Sequence, residues 1–210
     1  MIAYTSYIGS KRRRDKVVAL GCRMLVPADR SSKLSVPTCR YAVDSGAWAA
    51  HTRGEPFNEE KFVRGLAKLG ENADWIVLPD IVGGGSRSLE LSVKWLKRMK
   101  GKYNLVLAVQ DGIRPIEVMP YLGRRVGIFL GGTTEFKIET MPHWGRASKI
   151  AGCYFHVGRV NSAKRVKLCQ DAGAHSFDGS GISRWFDMKP EETFSILEQA
   201  RKSKVRHFWG

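Results

Sequence analysis

Several short apolar runs in this chain end on an acid, an amide or glycine. Ala174-His175-Ser176-Phe177 ends on Asp178 and breaks at once into Gly179-Ser180-Gly181. Tyr41-Ala42-Val43 ends on Asp44-Ser45-Gly46, and Trp75-Ile76-Val77-Leu78 runs through Pro79 to Asp80. Leu107-Ala108-Val109 ends on Gln110-Asp111-Gly112, and Gly127-Ile128-Phe129-Leu130 ends on the pair Gly131-Gly132. Glycosidic chemistry needs two such acids: one meets the anomeric carbon as positive charge builds there, the other carries a proton to or from the leaving group. Asp178, with glycine beside it, has the access a nucleophile needs, and Asp44 is the better placed proton carrier. Asp80 and Gln110 are suited to the edge of a purine, because a carboxylate accepts two N–H groups and an amide donates to a carbonyl oxygen. Gly131 and Gly132 let the backbone approach a flat ring closely. One such aspartate alone is usually a helix N-cap or a turn residue. Five strand ends in register argue for a shared mouth.

The elements that would hold these ends alternate between strand and helix. Residues 1–16 read as a polar, basic lead-in, and Val17–Cys22 reads as the first strand. Residues 27–39, with Pro27, Ser31, Ser32, Ser35 and Pro37, read as a loop. Strands are expected at 40–44, 74–79, 104–109, 126–130, 153–157 and 174–177. Val205–Phe208 is an eighth candidate. Helices are expected at 58–69, from Ser86 or Ser88 to Lys100 with Leu89, Val93 and Leu96 inward, at 115–122, at 134–141 with a resumption near Trp144, at 162–172 and at 190–202. Strands alternating with helices without an internal linker argue for a parallel sheet. Sites at the ends of five strands favour a compact, single-domain (β/α) TIM-like barrel spanning residues 1–210 over an open doubly wound sheet, which places its site at one switch point.

The chain has 210 residues, a formal charge of +15 and 43% hydrophobic content. That composition belongs to a globular domain. The basic residues are spread along the chain, at Lys11–Arg14, Lys97–Lys102, Arg124-Arg125 and Lys164–Lys167. A basic surface of this size favours a polyanionic partner, most simply nucleic acid. No apolar run reaches the ~20 residues of a membrane span, and the N-terminus lacks the order of a signal peptide, so a cytoplasmic setting and no membrane partner are expected. Cys22, Cys39, Cys153 and Cys169 are scattered, which fits buried thiols rather than a zinc site. Neither a metal nor another cofactor is expected.

Asp44-Ser45-Gly46, Val109-Gln110-Asp111-Gly112, Leu130-Gly131-Gly132, His156-Val157-Gly158 and Phe177-Asp178 follow one another in an order that resembles the tRNA-guanine transglycosylases. The small size and strong basicity look more like the phage branch of that superfamily, the DpdA family. The resemblance covers roughly residues 40–185. It implies exchange of guanine in DNA for a 7-deazaguanine base, most simply 7-cyano-7-deazaguanine, with tRNA as the runner-up substrate. Asp178 would then be the nucleophile at C1′ and Asp44 the general acid/base. Asp80 would hold N1 and N2 of the base, and Gln110 with the Gly131-Gly132 backbone would hold O6. The zinc cluster of the tRNA enzymes has no counterpart here, since no cysteine follows Asp178.

Around this set, Trp48, His51 and Arg53 follow Asp44 and are candidates to stack on, or wedge beside, a flipped base; Trp48 as plain core is the other reading. His156 is open between a phosphate or ribose contact, next to Arg159, and a histidine satisfied by its neighbours. Arg184 is a candidate phosphate contact. Lys11–Arg14 is either a solvated arm or a grip on a nucleic-acid backbone. A nucleic-acid-binding barrel without catalysis is the rival from another class, and would be indifferent to loss of Asp44 or Asp178. A nucleoside hydrolase or deoxyribosyltransferase would leave the positive charge without a role.

Overall fold

A computed structural model describes residues 1–203 and Phe208. The chain opens on a strand. The run from Ile2 to Ser6 (β1) is followed by the helix Lys11–Ala19 (α1) and the strand Arg23–Pro27 (β2), then by a 3₁₀ turn over Ala28–Lys33. The other strands are Tyr41–Asp44 (β3), Ile76–Val77 (β4), Leu105–Val109 (β5), Val126–Leu130 (β6), Phe155–Val157 (β7) and Ser176–Asp178 (β8). Between and after them lie the helices Ala47–Thr52 (α2), Glu59–Leu69 (α3), Ser86–Met99 (α4), Pro115–Val118 (α5), Thr134–Ala151 (α6), Ala163–Asp171 (α7), Ser180–Trp185 (α8) and Pro190–Arg201 (α9). All eight strands are parallel and close in sequence order, with Ile2 of β1 paired to Ser176 of β8.

The N-terminal expectation is corrected. The segment read as a polar lead-in is β1 and most of α1, and the strand expected at Val17–Cys22 is the end of α1 and its turn. Only Val17 of the Val17-Val18 pair is fully buried, as one face of a helix requires, whereas Met24, Leu25 and Val26 of β2 are all buried. Ser10 caps α1, its Oγ accepting from the Arg13 amide at 3.5 Å. Of the eighth-strand candidate Val205–Phe208, residues 205–207 lie outside the described residues; the described strands close the barrel through β1.

Two further helices differ in detail. Leu89 and Val93 of α4 are half-buried, and its buried side chains are Ser88, Ser92, Trp95, Leu96 and Met99. Ser92 takes an inward place because its Oγ donates to the Pro79 carbonyl at 2.8 Å. The helix α6 runs unbroken through Pro142. A proline in a helix interior costs about 3 kcal/mol, and burying Met141 and Trp144 on one face of this helix offsets it at roughly 1.5–3 kcal/mol each.

Side-chain alternation along the strands sorts the core. One set packs between strands and helices. The other fills the barrel: Tyr4, Leu25, Ala42, Trp75, Val77, Val106, Ala108 and Tyr154, with Ile2 and Phe129 against them. Because strand residues alternate faces, the inward parity of Ala42 continues to Asp44, that of Ala108 to Gln110, and that of Phe129 to Gly131. The barrel's packing thereby aims its strand ends at one mouth.

Candidate active site

The three acids at the mouth influence one another electrically. Asp44 accepts a hydrogen bond on Oδ1 from the Gly46 amide at 3.0 Å. Burial, then the charges of Asp178 and Asp29, push its carboxyl up to about 6 against the pull of that amide. Asp80 lies beside it: burial, then the charge of Asp44, push it up to about 7. The Ser45 hydroxyl donates to Asp80 Oδ1 at 3.4 Å, and the Gln110 amide nitrogen donates to Asp80 Oδ2. Gln110 Oε1 in turn accepts from the Gly83 amide at 2.8 Å. This use of both ends of the amide fixes its orientation and leaves its second N–H without a partner among the described residues. Two acids that change charge near neutral pH in one cleft are the property expected of proton-transfer groups.

Asp178 is set differently. Its Oδ1 lies 3.0 Å from His156 Nε2, and its Oδ2 accepts from the Arg159 amide at 3.3 Å. His156 is completely buried, stacked on Phe129 with ring centres 4.7 Å apart and tilted against Trp75 at the same distance. Its Nδ1 lies 2.7 Å from Ser176 Oγ. Of the two readings of His156, the histidine satisfied by its neighbours is the one the geometry matches, and one of those neighbours is the candidate nucleophile. Burial lowers the proton affinity of its ring, opposed by Asp178.

The loops close over these acids. Arg159 holds a left-handed backbone, φ 56°, that non-glycine residues seldom adopt. Its guanidinium donates to the Gly132 carbonyl and lies 4.2 Å from the centre of the Trp48 ring. Trp48 stands in α2 after β3, and Arg159 follows β7. Three strands lie between β3 and β7 on either side of the closed ring of eight, so this contact spans the mouth. Trp48 is 46% exposed, which removes the core reading. His51 is exposed beside it, ring centres 5.9 Å apart. Arg53 is tied to Glu55 at 2.9 Å and to Asp29 at 3.4 Å, and Arg184 is exposed on α8.

Some expectations move. Asp111 accepts from the Thr133 amide at 2.8 Å and the Thr133 hydroxyl at 2.6 Å, which commits it to the loop entering α6. A Cβ on Gly132, at φ 81°, would meet Asp111 Oδ2 at 2.4 Å, so glycine here is required by the loop itself. Gly131 is under no such pressure, its nearest would-be contact being 3.5 Å. The Lys11–Arg14 segment is helical: Lys11 pairs with Asp15 at 2.7 Å, Arg13 with Asp187 at 2.8 Å, and Arg14 donates to the Ile8 carbonyl at 2.9 Å.

Three contributors escaped the sequence reading. Ser45 is buried against Asp80. Asn161 Oδ1 accepts from the Gly181 amide at 2.8 Å and shapes the loop after Asp178. Lys137 is buried, donates to the Gly158 carbonyl at 2.6 Å, and is pushed down to about 8 by burial and then by the charge of Arg159. Its signal was present: Lys137 shares the helical stripe of Met141, Trp144 and Ser148, where a lysine needs a partner.

No protein-family model matches the chain, and no curated protein does. Among solved structures, a tryptophan synthase chain from M. tuberculosis is similar to it, at 13% identity and a TM-score of 0.56, over 95% of this chain and 88% of that one. The class defined by fold and comparison is therefore the eight-stranded parallel α/β barrel, the TIM barrel. In enzymes of this fold the active site lies at the C-terminal ends of the strands, the end at which Asp44, Asp80, Gln110 and Asp178 converge. Among the described residues no helix is long and apolar enough to cross a membrane.

Proposed function

We propose that this barrel exchanges guanine in DNA for a 7-deazaguanine base through a covalent aspartyl-sugar intermediate. The observation that carries the reading is the division of labour among the three acids. Asp44 and Asp80 are raised into the range where they trade protons near neutral pH, while Asp178 has His156 Nε2 3.0 Å from one oxygen and the Arg159 amide N–H on the other. A nucleophile needs the fixed, hydrogen-bonded carboxylate, and a general acid needs the raised one.

In the first displacement an Asp178 oxygen bonds to C1′ as the bond from C1′ to the base breaks. The electron pair leaves with the base, which takes the proton from Asp44. In the second, the incoming base gives its N9 proton to the Asp44 carboxylate, and N9 attacks C1′ and releases Asp178. Two displacements retain the configuration at C1′, and no proton is gained or lost overall. Asp80 and Gln110 would hold the edge of the base. Trp48, four residues beyond Asp44, supplies an exposed aromatic surface beside it. The target nucleotide must leave the stack, at a cost of a few kcal/mol in a duplex. The formal charge of +15 supports a polyanionic substrate.

The test is incubation with guanine-containing DNA and 7-cyano-7-deazaguanine, followed by digestion and mass spectrometry of the nucleosides. The expected product is a deazaguanine deoxynucleoside that disappears in Asp178→Asn. Full exchange by that variant would overturn the nucleophile assignment. Product on tRNA alone would keep the mechanism and move the substrate. Salt-sensitive binding to DNA with no product on either acid would favour the non-catalytic barrel.

A further inference from the structure

A line of hydrogen bonds runs inside the barrel from below its centre to the mouth. The Tyr154 hydroxyl donates to Ser176 Oγ at 2.7 Å. Ser176 Oγ lies 2.7 Å from His156 Nδ1, and His156 Nε2 lies 3.0 Å from Asp178 Oδ1. Tyr154, Ser176 and His156 are buried, His156 and Ser176 completely so.

Donor accounting gives this line a direction. The Tyr154 hydroxyl also meets Trp75, whose Nε1 is a donor only, and Tyr4, whose own proton goes to Asp74 and whose oxygen already takes the Trp75 N–H. The Tyr154 proton therefore goes to Ser176 Oγ, and the Ser176 proton is free to go to His156 Nδ1. Nδ1 is then an acceptor, and the ring's single hydrogen sits on Nε2, aimed at Asp178. The opposite tautomer would face a bare Nε2 with a carboxylate oxygen and leave the Ser176 proton without its ring acceptor. The ring has no room to turn over, since Phe129 stacks on it and Trp75 and Tyr4 pack at 4.7 and 5.8 Å between ring centres. Burial favours the uncharged ring.

We propose that His156 is a positioning residue for Asp178, held as the Nε2–H tautomer by the Ser176–Tyr154 relay. Its N–H occupies one lone pair of Oδ1, as the Arg159 amide does on Oδ2. The carboxylate is thereby pinned at one rotation while its remaining lone pairs face the mouth. A neutral donor does this without the full positive charge that would blunt the carboxylate as a nucleophile.

This inference rests on the reading of Asp178 as the reacting group, but its primary test does not depend on exchange activity. ¹⁵N NMR of the histidine-labelled full chain near neutral pH reports which ring nitrogen carries the proton. The expected spectrum shows a protonated Nε2 and a pyridine-like Nδ1 for His156. In Ser176→Ala the tautomer preference weakens. A protonated Nδ1 or a doubly protonated ring in the wild type would overturn the proposal, whatever the exchange assay shows. In the exchange assay, Ser176→Ala and Tyr154→Phe should lower kcat with little change in KM. His156→Phe should lower kcat by roughly tenfold to a hundredfold, taking as the guide the range seen when the hydrogen-bonding partner that orients a metal ligand is removed. Unchanged kcat in a folded His156→Phe protein would also overturn it. The expected tautomer in a protein without exchange activity would instead count against the proposed reaction and leave the relay standing.

Discussion

Aspartates sit at both ends of this barrel, and they are treated in opposite ways. At the N-terminal end, Asp74 is almost fully buried and saturated with donors. Its Oδ2 accepts from the Tyr4 hydroxyl at 2.8 Å and from Arg23 at 2.9 Å, and its Oδ1 lies 2.7 Å from an Arg40 nitrogen. Arg23 and Arg40 come from strand β2 and from just before β3, and Tyr4 comes from β1, so this carboxylate ties neighbouring strands together. At the C-terminal end, among the described residues, no lysine or arginine forms an ion pair with Asp44, Asp80 or Asp178. Their partners are amides, a hydroxyl and a neutral imidazole. A carboxylate with arginine partners ties the fold together, whereas a buried one without a cation is costly to keep. The comparison agrees with the division of labour in barrels, where the lower face serves stability and the upper face chemistry.

The hardest way to break this contrast is at the lower end. Asp74→Ala leaves the Arg23 guanidinium and the Tyr4 hydroxyl without their acceptor. Removing one partner of a buried pair typically costs about 3–5 kcal/mol, and urea unfolding should show a loss of that order. A loss near zero would mean that Asp74 is not a stability element. Asp178→Asn should do the reverse, removing exchange while leaving the unfolding midpoint close to that of the wild type.

The next test uses pH. Asp44 in the folded chain sits at about 6, above its ordinary value of 3.8. A carboxyl raised on folding contributes stability that is fully present below about 3.8 and is lost as pH rises through about 6. Two units correspond to about 3 kcal/mol. Asp44→Asn, which keeps an acceptor for the Gly46 amide, should therefore raise Tm at about pH 8 and converge on the wild type near pH 4. A difference that does not change with pH would break the account of Asp44 as a costly, unpaired acid. For activity, single-turnover rates of the proposed first displacement should fall as pH rises above about 6, because the proposed step takes a proton from Asp44. A rate that rises through this range would reassign the acid.

The smallest effect is expected at the rim. Arg184→Ala should leave stability unchanged and, if the proposed DNA substrate is bound there, lower the slope of log affinity against log salt by about 1. An unchanged slope would remove Arg184 from the proposed interface.

Most of the barrel was legible in the sequence. Six strands after residue 40 lie where apolar runs between turn residues predict them, and the apolar stripe of Phe62, Leu66 and Leu69 marks α3. The start was not legible. Ile2–Ser6 mixes polar and apolar residues, while Val17-Val18 mimics a strand inside a helix, and a five-residue strand carries too little periodicity to separate the two. Of the expected inward stripe of α4, Leu96 is buried but Leu89 and Val93 are only half so, because Ser88 and Ser92 are buried through hydrogen bonds to backbone groups, which hydropathy cannot register.

At the site, residue type and spacing alone nominated Asp44, Asp80, Gln110 and Asp178, because an acid or amide at the end of an apolar strand has few places to go but the mouth. Which of them is raised and which is held could only be decided in three dimensions. Charge state depends on burial and on neighbours brought in from other strands: Asp44 reaches Asp80 and Asp178 only when the barrel closes. The same holds for His156. The sequence placed it at a strand end, and the closed barrel supplied Ser176 and Tyr154 behind it and Asp178 in front, which together choose the nitrogen that carries its proton.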